Sequence, residues 1–184
     1  MIDHLIAPLD PDHDALVARL SRELAADLSI DPANAVTAPH ITLVSYTGLS
    51  PRAAARALAP VARTTAALTV RAHGYGVFTG DVDTDLSLHV MVVRTRALDE
   101  LQRRGHAALA AAGACLAGTT DPDVWTPHIT LLGRGLTPPL LGRAVELLAH
   151  RPHRSWTVGI SAVALTRRDA AGDRLTLQVV ETRE

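Results

Sequence analysis

The chain has 184 residues, 47% of them hydrophobic and 20% charged, with one cysteine and a formal net charge of −1. That length buries a sizeable core in one compact domain and excludes overall disorder. A lone thiol, Cys115, excludes a disulfide framework and a Cys-based zinc finger. A near-neutral total, with all 18 basic residues arginine, excludes the basic composition typical of proteins that track long nucleic acid.

The longest apolar run, residues 107–117, is too short to span a bilayer. Met1-Ile2-Asp3-His4 has neither a basic n-region nor an apolar h-region, so a secretory leader is not expected and a cytoplasmic setting is.

In chain order, residues 2–9 read as a buried strand. Leu16, Leu20, Leu24 and Leu28 recur at helical spacing, which predicts an amphipathic helix over 12–28. Asp31-Pro32 and Ala38-Pro39 mark a loop before a strand at 40–46. Ser50-Pro51 places a cap and a first-turn proline ahead of a helix to 63. Strands follow at 68–78 and 86–93, around a turn at 80–81. The pattern then restarts: a helix at 99–112, a loop at 121–123, a strand at 128–132, a helix at 138–150 and a strand at 155–166. A hairpin turn at 169–173 leads into a closing strand over 173–182.

Read as element types, the order β-α-β-α-β occurs twice before the closing strand. We take residues 1–184 as a single domain built from two lobe-forming repeats, 2–79 and 85–167. The repeats match best at one place, where Pro39-His40-Ile41-Thr42-Leu43 recurs as Pro127-His128-Ile129-Thr130-Leu131. From the chain's own composition, roughly 10⁻⁴ to 10⁻³ such five-residue recurrences are expected by chance. Common ancestry of the halves would preserve the match for folding reasons, but folding alone does not single out histidine.

In a strand, residues two apart share a face. His40 and Thr42 therefore point one way and Ile41 and Leu43 the other, and the same holds for His128, Thr130 and their apolar neighbours. A pseudo-two-fold arrangement would set the two His/Thr pairs across a cleft. One neutral and one charged imidazole supply a general base and a general acid. Two hydroxyls can hydrogen-bond the non-bridging oxygens of a phosphate, which is what in-line displacement at phosphorus needs. His128 is read as the base and His40 as the acid, although near-identical motifs leave the reverse open.

These motifs resemble those of the 2H phosphoesterase superfamily, defined by two His-x-Thr/Ser motifs, and within it the bacterial 2′-5′ RNA ligase and cyclic nucleotide phosphodiesterase branch. The resemblance implies a bilobal α+β fold, two antiparallel sheets flanking a central cleft with helices outside. It implies a metal-independent hydrolase with no cofactor. Its substrate would be a nucleotide or RNA end carrying a 2′,3′-cyclic phosphate or a 2′-5′ linkage. It carries His40, Thr42, His128 and Thr130 over as the catalytic quartet. Many members place an aromatic residue five positions after the first histidine; here Tyr46 stands six on and Gly48 eight. Arg134, shortly after the second motif, matches a basic position of this branch and is a candidate phosphate contact.

Tyr46 and Trp125 are candidate substrate-binding rings, Trp125 equally a core residue. Tyr75, Phe78 and Cys115 read as core. His4, His73, His89, His106, His150 and His153 show no metal-ligand spacing beyond the loose His150-x-x-His153, so no metal is expected. A monomer with no membrane contact is expected. Two other readings stand beside the phosphoesterase: a nucleotide or RNA-end binding module without turnover, and a phosphodiesterase for another small cyclic phosphate.

Overall fold

The computed structural model describes residues 2–79, 86–151, 155–168 and 174–181. The turns expected at 80–81 and 169–173, and His153, lie outside the described residues. The first repeat runs β1 (Asp3–Pro8), α1 (Pro11–Asp27), β2 (His40–Thr47), α2 (Pro51–Arg63) and β3 (Leu68–Thr79). The second runs β4 (Leu86–Val92), α3 (Arg96–Ala111), the short β5 (Cys115–Leu116), β6 (His128–Leu136), α4 (Pro138–Ala149), β7 (Ser155–Ile160) and β8 (Ala162–Arg168). The closing strand is β9 (Arg174–Glu181).

Local chemistry sets the helix starts. Asp10 and Ser50 accept from the N–H groups of His13 and Ala53 at 3.0 and 3.2 Å, each followed by a proline whose missing N–H costs nothing there. α3 begins ahead of the predicted residue 99 because Thr95 caps it, accepting from Leu98 N–H at 3.3 Å. β6 runs on past the predicted 132 through Gly133 and Gly135, the latter at φ +81°, a conformation glycine adopts without strain.

The described strands pair antiparallel in the order β7-β3-β4-β6-β2-β1-β8-β9, with β5 beside β2. The protein is α+β. Two four-stranded halves, β7-β3-β4-β6 and β2-β1-β8-β9, meet at the single residue pair Ile41–Ile129.

These half-sheets are not the sequence repeats. β3 pairs with β4 and β7 of the second repeat, while β8 returns to pair with β1 of the first. The lobes expected from 2–79 and 85–167 are thus each completed by a strand of the other. The reason is connection length: a short link joins β3 to β4, and neighbours in sequence pair most readily as antiparallel hairpins. The single strand predicted at 155–166 is accordingly two, interrupted at Ser161, with β7 and β8 in opposite halves.

The helices repeat the exchange. α1 packs on β6 and α3 on β2, while α2 lies against α3 and over β8 and β9. Their apolar stripes, Val17, Leu20 and Leu24 on α1 and Leu98, Leu101 and Leu109 on α3, join one continuous core. No helix among the described residues is long and apolar enough to cross a membrane.

Candidate active site

The joining pair Ile41–Ile129 falls at the centre of both five-residue motifs. Two identical segments antiparallel about their own midpoints are related by a local two-fold axis between them. That register sets His40 alongside Thr130 and Thr42 alongside His128. Ile41, Leu43, Ile129 and Leu131 are fully buried, whereas the two histidines and two threonines between them are half-buried. The quartet therefore shares the open face of the junction, and its apolar partners lock the other face into the core.

Both imidazoles are held the same way. His40 Nδ1 lies 2.8 Å from the Ala38 carbonyl, and His128 Nδ1 lies 2.8 Å from the Thr126 carbonyl. A carbonyl only accepts, so each Nδ1 carries the proton and donates. The tautomer is fixed, and Nε2 is the nitrogen left to take up or release a proton. The acceptor in each case precedes a proline, which holds it extended and aims its carbonyl back at the ring.

The backbone behind the quartet is braced by polar side chains that the sequence reading did not single out. Ser21 of α1 donates to the Leu131 carbonyl and accepts from Val36 N–H at 2.8 Å. Gln102 of α3 donates to the Leu43 carbonyl at 3.3 Å and to the Thr120 carbonyl at 2.8 Å. Each helix thus pins the residue after the threonine of the other repeat's motif. The available signal was a polar residue on an otherwise apolar helical stripe; both are fully buried.

Trp125 is 3% exposed, and its indole N–H donates to the Thr42 carbonyl at 2.9 Å. It ties the approach to His128 onto the other motif's strand, and its ring is closed to a substrate base. Arg94 clamps the same loop through the Trp125 carbonyl at 3.1 Å and lies over the indole at 5.7 Å. Tyr46 is 1% exposed, so it too is a core residue rather than a substrate edge. Burial, reinforced by Asp3, pushes its phenol up to about 12. The register shift between Leu5–Val44 and Ile6–Thr42 breaks the strand's alternation before this ring. Arg134 is exposed on β6, with no ion pair among the described residues.

Two residues taken for background adjoin the quartet. Phe78 is half-buried rather than core, with its ring edge-on to His128 at 4.7 Å. His89 is buried and meets His128 edge-on at 4.4 Å. Burial holds His128 below the usual histidine range, against the opposing effect of its Thr126 bond. Cys115, expected to be buried, is exposed in β5. Among the described residues no cluster of three or more His, Cys, Asp or Glu could hold a metal ion. Two cavities of about 430 and 210 Å³ lie elsewhere, and neither is lined by a residue of the motifs. The quartet is half-buried on the open face of the junction.

A duplicated α+β sheet with a His-x-Thr pair at its axis defines a class, and sequence comparison names it. The model of the 2′-5′ RNA ligase superfamily matches residues 8–172, and the chain belongs to that superfamily. TT0787 of Thermus thermophilus is similar in structure, with a TM-score of 0.68 and 16% identity over 100% of this chain and 98% of that one. E. coli LigT complexed with NADP+ has a TM-score of 0.63 and 16% identity, over 99% of this chain and 97% of that one. At these identities the likeness is one of fold. A comparison with curated protein sequences finds no match.

Proposed function

We propose that the chain is a metal-independent phosphoesterase that opens 2′,3′-cyclic phosphates or cleaves 2′-5′ linkages in nucleotides or at RNA ends. The observation that carries this reading is the matched anchoring of the two imidazoles about one axis. Each has Nδ1 donating to a carbonyl at 2.8 Å, on the face that bears both threonines. Superfamily membership supports the class of chemistry. Structures of LigT complexed with 3′-AMP and with ATP support a nucleotide as the ligand.

In the proposed reaction, His128 Nε2 takes the proton of the attacking water as the new P–O bond forms. His40 Nε2 gives its proton to the ribose oxygen as the old P–O bond breaks. One proton has then moved from His40 to His128, and solvent resets the pair. Thr42 and Thr130 hydroxyls donate to the non-bridging oxygens, whose charge develops in the transition state. The burial that lowers His128's basicity leaves it neutral at pH 7 and so favours it as the base. Arg134, exposed and further along β6, is proposed to contact a more distant part of the substrate. The near-neutral surface charge favours a small ligand or a chain end over long RNA.

The test is hydrolysis of the four 2′,3′-cyclic mononucleotides in EDTA by wild type, His40→Ala and His128→Ala. Each variant is expected to lose about 10²-fold or more in kcat, as removal of a general acid or base predicts. Tight nucleotide binding with no product, unchanged in His40→Ala, would instead identify a binding module.

A further inference from the structure

The local two-fold is broken beside His128. On β1, Ile6 stands opposite Thr42; at the corresponding place on β4, His89 stands opposite Thr130. One catalytic pair therefore has an aliphatic neighbour and the other an imidazole. His89 is 4% exposed, its Nε2 hydrogen-bonded to Ser87 Oγ at 2.8 Å. Its ring packs against Phe78 at 4.6 Å and against His128 at 4.4 Å, and Phe78 closes the triangle with His128 at 4.7 Å. Gly76, opposite His89 on β3, is part of the same fit: Met91 fills the space a Cβ would take there, and Met91 stands opposite His128.

We propose that His89 is a positioning residue for His128: pinned by Ser87 and wedged against Phe78, its ring forms a dry wall that orients the catalytic imidazole and shields it from water. The proposal rests on the phosphoesterase reading only for its kinetic consequence. His89 itself takes no part in proton transfer. Burial, with His128 adding to it, holds His89 at about 3, so it is uncharged near neutral pH. Around the pair, β3 contributes Gly76 and Phe78, β4 Ser87 and Met91, β6 Thr130, and β2 Thr42 and His40. His40 is the titratable group of this set, and the charge acting on His89 among the described residues is that of His128. A wall of this kind also makes two nearly identical motifs unequal, so that one histidine rests neutral.

The test is the pH titration of the His128 ring by NMR, alongside the pH profile of kcat/KM, in wild type, His89→Ala and His89→Phe. His89→Ala admits water and is expected to raise the His128 midpoint. At pH 5.5 its kcat/KM, relative to its own maximum, is expected to fall about threefold or more below wild type. His89→Phe keeps a ring against His128 and Phe78 and is expected to restore the wild-type titration. An unchanged His128 titration in folded His89→Ala overturns the proposal, as does an equal rise in His89→Phe. Where His89→Ala does not fold, Ser87→Ala and Phe78→Ala each loosen the wall, and an unchanged titration in both overturns it. The NMR readout needs no turnover: an enzyme inactive on every substrate with an intact His89 effect would sink the phosphoesterase reading alone.

Discussion

Each imidazole of the proposed catalytic pair is anchored by a 2.8 Å bond from Nδ1 to a carbonyl two residues earlier, which leaves Nε2 for the proposed proton transfer. The proposed mechanism predicts a bell-shaped pH dependence, because it needs one ring neutral and the other charged. With burial lowering His128, the acid limb of kcat/KM is expected below the ordinary midpoint of 6.5, and a pH–rate series from 4.5 to 9 measures it. His89 has a separate effect on stability. Folded it protonates at about 3, and unfolded near 6.5, so as pH falls through that window the unfolded chain takes up a proton that the folded one refuses. Its contribution is complete above the window and is lost progressively on acidification within it. Urea midpoints between about pH 6.5 and 4.5, above the carboxylate range, are expected to fall more steeply in wild type than in His89→Phe. Trp125→Phe keeps the ring but removes its bond to the Thr42 carbonyl, which is expected to cost about 0.5–1.5 kcal/mol in the same urea assay. Arg134→Ala is expected to raise KM with little change in kcat, as loss of a contact remote from the reacting phosphate does.

At the scale of elements, one residue pair aligns the two motif strands. Ile41 and Ile129 are fully buried, and they form the one described backbone pairing between β2 and β6. Truncating either leaves a cavity at the axis itself. Ile129→Ala is expected to cost about 2–5 kcal/mol in denaturant unfolding. It is also expected to lower kcat beyond what the stability loss explains, because the quartet's mutual placement depends on that contact. Ser21 and Gln102 act on the same strands from behind. Each satisfies the carbonyl of the residue after a motif threonine, so each motif strand is held from its own sheet and from the other repeat's helix.

At the scale of the molecule, the exchange of β3 and β8 makes the two repeats mutually dependent. A chain ending after β3 leaves that strand without β4 and β7, and leaves β1 without β8. Expressed separately, residues 1–82 and 83–184 are each expected to lack a cooperative thermal transition, and to regain one with activity when mixed. A stable, cooperatively melting fragment would show that the repeats fold independently.

Much of this was legible in the sequence because it depends on local physics. Proline and capping residues marked the helix starts, 3.6-residue spacing the helices and alternation the strands. The period of two alone placed His40, Thr42, His128 and Thr130 on one face, with Ile41, Leu43, Ile129 and Leu131 on the other. Contacts between residues far apart in the chain were decided by the tertiary structure. Periodicity cannot say which sheet a strand joins, so the split of 155–166 and the exchange of β3 and β8 were invisible. Composition cannot say whether an aromatic ring faces solvent or core, so Tyr46 and Trp125 looked like binding residues and proved buried, while Phe78 and His89 looked inert and border His128. The sequence determined which groups were available for chemistry. Packing beside the two-fold axis lowers the basicity of His128, because its burial exists only once the strands are paired.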